Sequence, residues 1–312
     1  MYYIIANPNS EMGRTMFYLP TLTALFDDAG IPYDTHITSM PREAYEKTLK
    51  FCRTTKDLKG VIGIGGDGVM QEILAGMAHA LEQNKKIPIP LGILPSSTGN
   101  DFALSLEGSK QDLIKKYSQD VGVICQDLFN SVIENKTRTI DIATANGMAY
   151  LNIGHIGLDV HITKNADELK RKYDHKSYLA ATYKSIAKHK NKQLTLNLDD
   201  NITEGQYTFI AVANGQYYGG GMRICPSAEI DDGMLTVCKA GGMARLKLMT
   251  LFPLVLLEKH TKLKNVNLIH CKKIEIFLPP EPELLCLDGN LYPCKDKIEF
   301  EILPMALKIY GG

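Results

Sequence analysis

The sequence predicts an α/β protein of two domains, a doubly wound parallel sheet followed by a β-rich, antiparallel β-sandwich-like domain. Short apolar strands alternate with helical stretches over the first hundred residues. After about residue 130, apolar and polar residues alternate with a period of two, which is typical of antiparallel strands with one solvent-exposed face. The length of 312 residues suits two domains of about 100–200 residues each.

The N-terminal half alternates strands with helices, which favours parallel strands joined by crossover helices. The predicted elements are, in order, strand Tyr2–Ala6, a helix from about Met16 to Gly30, strand Tyr33–Thr38, a helix beginning near Ser39 and Pro41, strand Val61–Ile64, a helix through Ile73, Leu74 and Met77, and strand Ile89–Leu94.

Three segments of the second half show the period-two pattern, at Leu194–Leu198, Ile274–Leu278 and Ile298–Ile302. Helices are expected near Ser177–Lys188 and Ala244–Glu258. We therefore assign residues 1–130, together with the tail at about 303–312, to the α/β domain, and residues 131–302 to the β-rich domain.

Composition excludes several classes of protein. Lys plus Arg equals Asp plus Glu at 35 each, which argues against a nucleic-acid binder. Seven cysteines without a C-x-x-C motif indicate reduced thiols in the cytoplasm and no zinc site. The N-terminus carries no basic segment typical of a signal peptide. The most apolar stretch, Leu246–Leu257, is shorter than the about 20 residues that cross a bilayer.

Glycine-rich loops follow successive predicted strands. Gly65-Gly66-Asp67-Gly68 comes directly after one strand, Thr98-Gly99-Asn100-Asp101 follows the next, and Asn7-Pro8-Asn9-Ser10 follows the first. Parallel strands end at one edge of the sheet, where glycines allow close approach to phosphate and a following helix offers free N–H groups. A plain tight turn at residues 65–68, and a helix N-cap at Asn100 or Asp101, remain alternatives.

Together these motifs resemble the catalytic domain of diacylglycerol kinases, and are similar to bacterial lipid kinases and sphingosine kinases. The resemblance extends over essentially the whole chain. It rests on the loops above with Glu72 and Phe102-Ala103, and in the second half on Asn152, Gly154, Gly157, Gly219-Gly220-Gly221, Pro226, Ala228, Asp231-Asp232-Gly233 and Leu235.

The resemblance implies an ATP-dependent lipid kinase that uses Mg²⁺ and visits the membrane surface. It implies nucleotide-binding roles for Asn7, Pro8, Ser10, Thr38, Gly65, Gly66, Asp67, Gly68, Glu72, Thr98, Gly99 and Asn100. It implies metal roles for Asp67, and for the Asp232 side chain with the carbonyls of Glu229 and Met234. Hard oxygen ligands of this kind suit Mg²⁺.

Asp288 is the candidate general base, because the family's proposed base falls on its Asp-Gly. The residues alone favour a two-residue hairpin turn at Asp288-Gly289. The two interpretations are compatible, since a turn can present its Asp to a cleft. Asp232-Gly233 also has the pattern of a turn into a strand, and the Asp67 side chain could instead cap its own turn.

The chain departs from the family's usual pattern at several positions. Val69 stands where Thr is usual, Glu11 where Gly is usual and Asn290 where Glu is usual, and Ser96-Ser97 replaces an apolar residue and glycine. These departures keep two alternatives open: another small-molecule kinase such as an NAD kinase, or a nucleotide-binding regulatory protein without turnover.

The expected partners are a lipid substrate at the membrane surface and no nucleic acid, with homodimer formation as a further possibility. Residues Lys164 to Lys192 contain nine basic residues against three acidic ones. This segment is either a solvated helical face or a patch that contacts anionic lipid.

Overall fold

The computed structural model describes residues 1–8, 14–83, 85–96, 99–158, 160 and 185–311. The N-terminal half is a parallel sheet wound on both faces, as predicted. Its elements are β1 (Tyr2–Ala6), α1 (Thr15–Asp28), β2 (Tyr33–Ile37), α2 (Glu43–Thr54), β3 (Gly60–Gly65), α3 (Asp67–Leu81), β4 (Leu91–Pro95), α4 (Asp101–Glu107), α5 (Lys110–Tyr117) and α6 (Val121–Ile133).

The described part of the second half is a set of antiparallel strands that includes a helix on one face. Its elements are β5 (Thr137–Ala145), β6 (Met148–Tyr150), β7 (Ile153–Gly157), β8 (Lys192–Leu198), β9 (Asn201–Ala213), β10 (Tyr217–Tyr218), β11 (Met222–Arg223), β12 (Leu235–Gly241), α7 (Arg245–Leu256), β13 (Val266–Cys271), β14 (Lys273–Phe277), β15 (Glu283–Leu287), β16 (Asn290–Cys294) and β17 (Lys297–Tyr310).

Strand β1 shows why the N-terminal sheet is covered on both sides. Side chains alternate across a strand, so Tyr3 and Ile5 pack with residues of α2 and α3. Tyr2 and Ile4 pack on the opposite face with residues of α1 and α6. The strand order β2-β1-β3-β4 is parallel throughout, and the carboxyl ends of these strands therefore lie at one edge.

Strand β17 joins the two halves. It pairs with β14 and β5 in antiparallel fashion and with β4 in parallel at Ile309–Leu91. Its register against β5 shifts between Leu303 and Leu307, around Met305 with a φ of 49°. The tail thus returns to the N-terminal sheet through this irregular strand.

Local differences from the sequence prediction have physical reasons. Helix α2 begins at Glu43 rather than near Ser39, because Arg42 takes a left-handed φ of 67°. Helix α4 begins where the sequence offered a helix start at Asn100 or Asp101, whereas α5 and α6 occupy residues that carried no prediction. Of the helix expected at 177–188, the described residues 185–188 are helical and the rest lie outside the described part. Helix α7 confirms the expected second helix. Within the described ranges, no helix is long and apolar enough to cross a bilayer.

Candidate active site

The predicted loops meet at the carboxyl edge of the parallel sheet. Asn7 N–H donates to the Ile64 carbonyl at 2.9 Å, and Thr38 N–H donates to the Ala6 carbonyl at 2.9 Å. Ser96 N–H donates to the Gly65 carbonyl at 3.0 Å. Backbone hydrogen bonds therefore hold together the carboxyl ends of β1, β2, β3 and β4. Pro8 follows shortly after the end of β1, and Gly66 directly follows β3.

Asp67 links the first glycine loop to the start of α4. Its Oδ2 accepts from the N–H of Asp101 at 2.9 Å, and its Oδ1 accepts from the N–H of Phe102 at 2.8 Å. A carboxylate at a helix N-terminus satisfies free N–H groups and complements the helix dipole. Asp67 therefore caps the start of helix α4, in addition to a contact with its own backbone N–H that partly offsets the rise of its pKa on burial.

Asn100 does not act as the side-chain cap considered above. It takes the N-cap position of α4 with φ 47°, and its side chain makes no capping hydrogen bond. An N-cap side chain usually works from extended backbone rather than from this left-handed conformation. Asp67 supplies the acceptor instead, and a Cβ at Gly99 would lie 3.5 Å from a carboxylate oxygen of both Asp67 and Asp101.

Asp101 belongs to the same cluster as Asp67, although the sequence analysis gave it no role beyond its place in the second glycine loop and a possible helix cap. Its Oδ1 accepts from Gly221 N–H at 2.6 Å and its Oδ2 from Gly220 N–H at 3.0 Å. Gly219, Gly220 and Gly221 all have positive φ, between 62° and 91°, which glycine adopts without strain. The Gly219–Gly221 run was the signal for this contact, because such a loop exposes successive N–H groups to an anion.

Asp288 occupies a hairpin turn and is at the same time held by backbone from β6–β7. Leu287 pairs with Asn290, and Asp288 and Gly289 have φ 45° and 94°, as a tight two-residue hairpin requires. The carboxylate accepts from the N–H groups of Leu151 at 2.7 Å, Asn152 at 3.0 Å and Ile153 at 2.8 Å. The hairpin interpretation of the Asp-Gly dipeptide is thus confirmed, and the role of Asp288 as a base stays a prediction.

Asp67, Asp101 and Asp288 form an electrostatically coupled group. Burial, then the charge of Asp67 and that of Asp288, raise the pKa of Asp101 to about 7. Burial and the charge of Asp67 raise the pKa of Asp288 to about 7, although its three backbone bonds lower it. Burial also raises the pKa of Asp67. Concentrated negative charge of this kind favours bound protons or a cation.

Asn290 ties this hairpin to the first glycine loop. Its Nδ2 donates to the Gly68 carbonyl and to Gln71 Oε1, both at 2.8 Å. Tyr292 Oη donates to the same Gln71 oxygen at 2.9 Å, and Gln71 Nε2 donates to the Ala149 carbonyl at 2.9 Å. Gln71 is fully buried. An amide at residue 290 therefore supplies donors that a carboxylate there would lack.

Glu72 faces helix α2 rather than the other carboxylates. Its Oε1 accepts from the N–H of Arg42 at 2.9 Å, at the start of that helix. Burial raises the pKa of Glu72, and the backbone bonds from Arg42, Tyr45 and Ala44 lower it. The contact stabilises the loop after β2, and a nucleotide-binding role for Glu72 remains a prediction.

The Asp231-Asp232-Gly233 turn forms a separate acidic site. Asp232 Oδ1 accepts from the N–H of Met234, two residues on, at 2.9 Å. Gly233 N–H donates to the buried Asp141 at 2.7 Å. Burial raises the pKa of Asp232, and the charges of Asp141 and Glu229 act in the same direction.

Asn214 connects this turn to the backbone segment, residues 151–153, that binds Asp288. Its Nδ2 donates to the Asp141 carbonyl at 3.1 Å and to the Leu151 carbonyl at 2.8 Å, and its side chain is fully buried. Leu151 is one of the three residues that hold Asp288. The two acidic sites therefore share a buried amide.

Some predicted residues lie outside the described part of the chain, namely Ser10 and Thr98, with the substituted positions Glu11 and Ser97. Val69 packs on the glycine loop itself, since a Cβ at Gly65 would lie 3.1 Å from the Val69 Cβ. Ser96 is fully buried, with its Oγ 2.8 Å from Thr15 Oγ1. Val69 and Ser96, which differ from the usual residues of the family, therefore both pack beneath the loops.

The donor set at the carboxyl edge suits a hard cation. Asp67 has both oxygens in single backbone bonds, which leaves lone pairs on each. In the described ranges, no three His, Cys, Asp or Glu side chains converge as a ready metal cage. Mg²⁺ commonly uses only one or two carboxylates together with substrate phosphates, so the residues present fit that ion.

Two families match the chain, one in each half. The family described as the diacylglycerol kinase catalytic domain matches residues 1–145. The family described as the YegS C-terminal NAD kinase beta sandwich-like domain matches residues 153–311. The described strands of the second half agree with that sandwich-like description.

Individual relatives agree with the family matches. A diacylglycerol kinase of Bacillus subtilis is 26% identical over 289 residues, covering 89% of this chain and 88% of its own. A diacylglycerol kinase of Mycobacterium tuberculosis is 27% identical over 262 residues, covering 81% and 77%. A probable lipid kinase, YegS-like, of Shewanella frigidimarina is 26% identical over 249 residues, covering 80% and 74%.

A solved structure shares the fold. The crystal structure of a diacylglycerol kinase from Bacillus anthracis superimposes with a TM-score of 0.67 at 19% identity, covering 100% of this chain and 96% of the other. At this identity the likeness concerns the fold alone.

Proposed function

This chain belongs to the diacylglycerol kinase family of phosphotransferases, and we propose that it transfers the γ-phosphoryl group of ATP to a hydroxyl of a diacylglycerol-like lipid. The observation that carries the proposal is the setting of Asp288. Three backbone N–H groups fix this carboxylate beside the glycine loop that contains Asp67.

Asp288 is the proposed general base. Its Oδ2 accepts one backbone bond and retains a lone pair for the substrate hydroxyl. A base works best when its pKa lies near the working pH, and the pKa of Asp288 is raised to about 7. The lipid oxygen would attack the γ-phosphorus, Asp288 would take the hydroxyl proton, and ADP would leave as the phosphate ester forms.

The proposed ATP site lies on the loops at the carboxyl edge, at Asn7, Thr38, Gly65–Gly68, Gly99 and Asn100. Glycines there allow the phosphates to approach the backbone closely. This arrangement agrees with the rule that open α/β sheets bind ligands beyond the carboxyl ends of their strands.

Mg²⁺ would be held at Asp67, and it would neutralise the negative charge of the phosphates. A cation there would also lower the raised pKa values of Asp101 and Asp288, because opposite charge favours the ionised carboxylate. The turn at Asp232, with the carbonyls of Glu229 and Met234, is the proposed second cation site, with a structural role.

The test incubates the protein with labelled ATP, Mg²⁺ and a panel of acceptors: diacylglycerol, phosphatidylglycerol, a sphingoid base and a prenol in mixed micelles, and NAD in solution. Wild type is compared with Asp288→Ala and with Asp57→Ala as a control, since Asp57 is exposed in the loop before β3, at the opposite end of that strand from the site. The proposal is supported if wild type and the control form a labelled lipid and Asp288→Ala does not.

The alternatives predict different outcomes of the same experiment. Label in NAD alone would replace the lipid acceptor by a nucleotide. Nucleotide binding without transfer to any acceptor would make the protein a regulatory module. The names of the relatives favour a lipid acceptor over both alternatives.

A further inference from the structure

Helix α7 has apolar residues on its exposed side as well as on its buried side. Leu248 and Val255 are buried in the core beneath the helix. On the outer side Leu246 is 79%, Met249 45%, Leu256 56% and Leu257 62% exposed. A helix on the surface of a water-soluble domain usually presents polar residues outward. The outer side of α7 therefore requires an explanation other than packing within the chain.

The exposed residues form a continuous stripe. Leu246, Met249, Pro253 and Leu256 follow the spacing i, i+3, i+7 and i+10, so at 3.6 residues per turn they fall within an arc of about 80°. We call these four residues, with Leu257, the α7 stripe. Leu248 and Val255 lie on the opposite side of the helix by the same geometry.

Positive charge surrounds the α7 stripe. Residues 244–264 contain five Lys or Arg and one acidic residue, Glu258, which pairs with Arg223 at 3.3 Å. Arg245 donates to the carbonyl of His189 at 3.3 Å, which brings the exposed Lys188 and Lys190 to the same end of the helix. An apolar stripe bordered by Lys and Arg is the pattern of helices that lie in the bilayer interface.

The first turn of α7 supports the same conclusion. It contains Arg245 and Lys247 and no acidic residue. Cations at a helix N-terminus oppose the helix dipole, and so they do not serve the stability of the helix. Phosphate groups of anionic lipids would complement both the cations and the helix terminus.

The position of α7 relates the stripe to the active site. Glu258, just past its end, pairs with Arg223, which lies two residues beyond Gly221. Gly221 in turn donates to Asp101. A surface that bound α7 would therefore lie beside the loop that borders the acidic site.

We propose that the α7 stripe docks onto an anionic phospholipid bilayer and so brings the cleft to its lipid substrate, an inference that rests on the proposed lipid kinase function. The charge pattern favours a bilayer over a second copy of the chain, because two copies would bring like charges together. A standard interface also buries about 800 Å² on each partner, and five side chains on one helix supply less.

The test measures flotation of the full chain with vesicles of phosphatidylcholine alone and of phosphatidylcholine mixed with phosphatidylglycerol. Wild type is expected to bind the anionic vesicles. The double variant Leu246→Glu, Met249→Glu should weaken binding by about tenfold or more, because the apolar contact is lost. Ile202→Glu is the matched control, since Ile202 is 70% exposed on the β8–β9 hairpin, and it should bind as wild type does.

Charge reversal at Lys259 and Lys262 gives a second measurement. Each reversal should weaken binding to anionic vesicles by about fivefold or more, and the difference should vanish at high salt. Equal vesicle binding by wild type and the double variant would overturn the inference. A dimer in sedimentation that the double variant dissociates, with vesicle binding unchanged, would also overturn it and make the stripe an interface between copies.

Kinase assays separate this inference from the proposed function. The double variant should lose phosphorylation of diacylglycerol in vesicles and keep that of a short-chain, water-soluble diacylglycerol. If wild type binds the vesicles and phosphorylates neither acceptor, the proposed function fails while the docking surface stands. If the double variant loses both activities and keeps its vesicle binding, the docking proposal fails.

Discussion

The turns at Asp288-Gly289 and Asp232-Gly233 share a dipeptide and differ in what surrounds it. Asp288 accepts three N–H bonds from Leu151 to Ile153, which are more than 130 residues away in the chain. Asp232 accepts one bond, from Met234, two residues on. Burial raises the pKa of Asp288 to about 7, and burial also raises the pKa of Asp232.

We infer that long-range backbone contacts, rather than the local motif, distinguish the proposed base Asp288 from the proposed structural carboxylate Asp232. The Asp288 side chain is held by backbone N–H groups of residues 151–153, which do not belong to its own turn, and the charge of Asp67 acts on it. Asp232 is fixed by its own turn, and the adjacent Gly233 is bound to Asp141. We therefore expect changes at Asp288 to affect chemistry and changes at Asp232 to affect stability.

The largest expected effect is that of Asp288→Asn on turnover. Loss of the base should lower kcat by about 10²–10⁴-fold, the usual contribution of a general base. The affinity for ATP, measured by calorimetry, should change by less than about threefold, since the nucleotide loops are untouched. A variant that retains the wild-type kcat would make Asp288 a turn residue only.

Asn290→Asp should have the next largest effect. The carboxylate would remove the donors to the Gly68 carbonyl and to Gln71, and it would add negative charge beside Asp288. We expect kcat/KM to fall by about tenfold or more, and the pH–rate profile to move to higher pH because like charge raises the pKa of Asp288.

Asn201→Asp serves as the control for Asn290→Asp. Asn201 is exposed on the β8–β9 hairpin, away from the site. An Asn290→Asp profile that is superimposable on that of the control would show that residue 290 has no influence on Asp288.

Asp232→Asn should reduce kcat by less than about tenfold at saturating Mg²⁺, because an amide oxygen can still accept the bond from Met234. The rise of the thermal midpoint on adding Mg²⁺ should be smaller in this variant than in wild type, since binding to the folded state stabilises it. Complete loss of turnover with an unchanged fold would move the chemistry to the Asp232 turn.

The smallest expected effect is the pH dependence of stability at Asp101. Its folded pKa of about 7 lies above the ordinary 3.8. The folded state therefore holds this proton more tightly, and the stabilisation is lost as pH rises from about 4 through about 7. Between pH 6 and pH 8 the loss is about 1 kcal/mol for this buried group.

Denaturant unfolding at both pH values, without nucleotide or Mg²⁺, measures this effect. The decrease in the free energy of unfolding from pH 6 to pH 8 should be smaller in Asp101→Asn than in wild type. The same decrease in both proteins would show that Asp101 is ionised in the folded state at pH 6.

The sequence predicted the fold where local pattern and tertiary structure agree. The strand at Val61–Ile64 was visible because a short apolar run between turn signals is typical of a buried parallel strand. The hairpin at Asp288-Gly289 was visible because few residue pairs suit its backbone. The resemblance to diacylglycerol kinases is confirmed by the family matches in both halves.

The contacts that the sequence analysis did not predict join segments that are distant in the chain. Asp101 had the pattern of a helix cap, and its bonds to Gly220 and Gly221 span about 120 residues. Asn290 was noted as a lost carboxylate, but its bonds to Gly68 and Gln71 appear only once the two halves are assembled. The glycine run at Gly219–Gly221 indicated a loop that could bind an anion, but no local pattern identified Asp101 as its partner or predicted the contacts of Asn290.

The basic segment from Lys164 to Lys192 mostly lies outside the described residues. Of its described part, Lys192 pairs with Glu283, while Lys188 and Lys190 are exposed near the start of α7. The sequence analysis predicted a helix over the apolar stretch at Leu246–Leu257 and rejected it as a membrane span because of its length. Only the exposed fractions of the individual side chains show that this helix has apolar residues on its outer side.

The pH dependence of lipid phosphorylation by the wild type, at saturating Mg²⁺ and ATP, tests the central role of Asp288 most directly. A base must be deprotonated to act, so kcat should fall as pH drops through a single ionisation at or below about 7, and reach a plateau above it. A rate that stays constant from alkaline pH down to pH 3.8, the ordinary pKa of this carboxyl group, would contradict the assignment of Asp288 as the base.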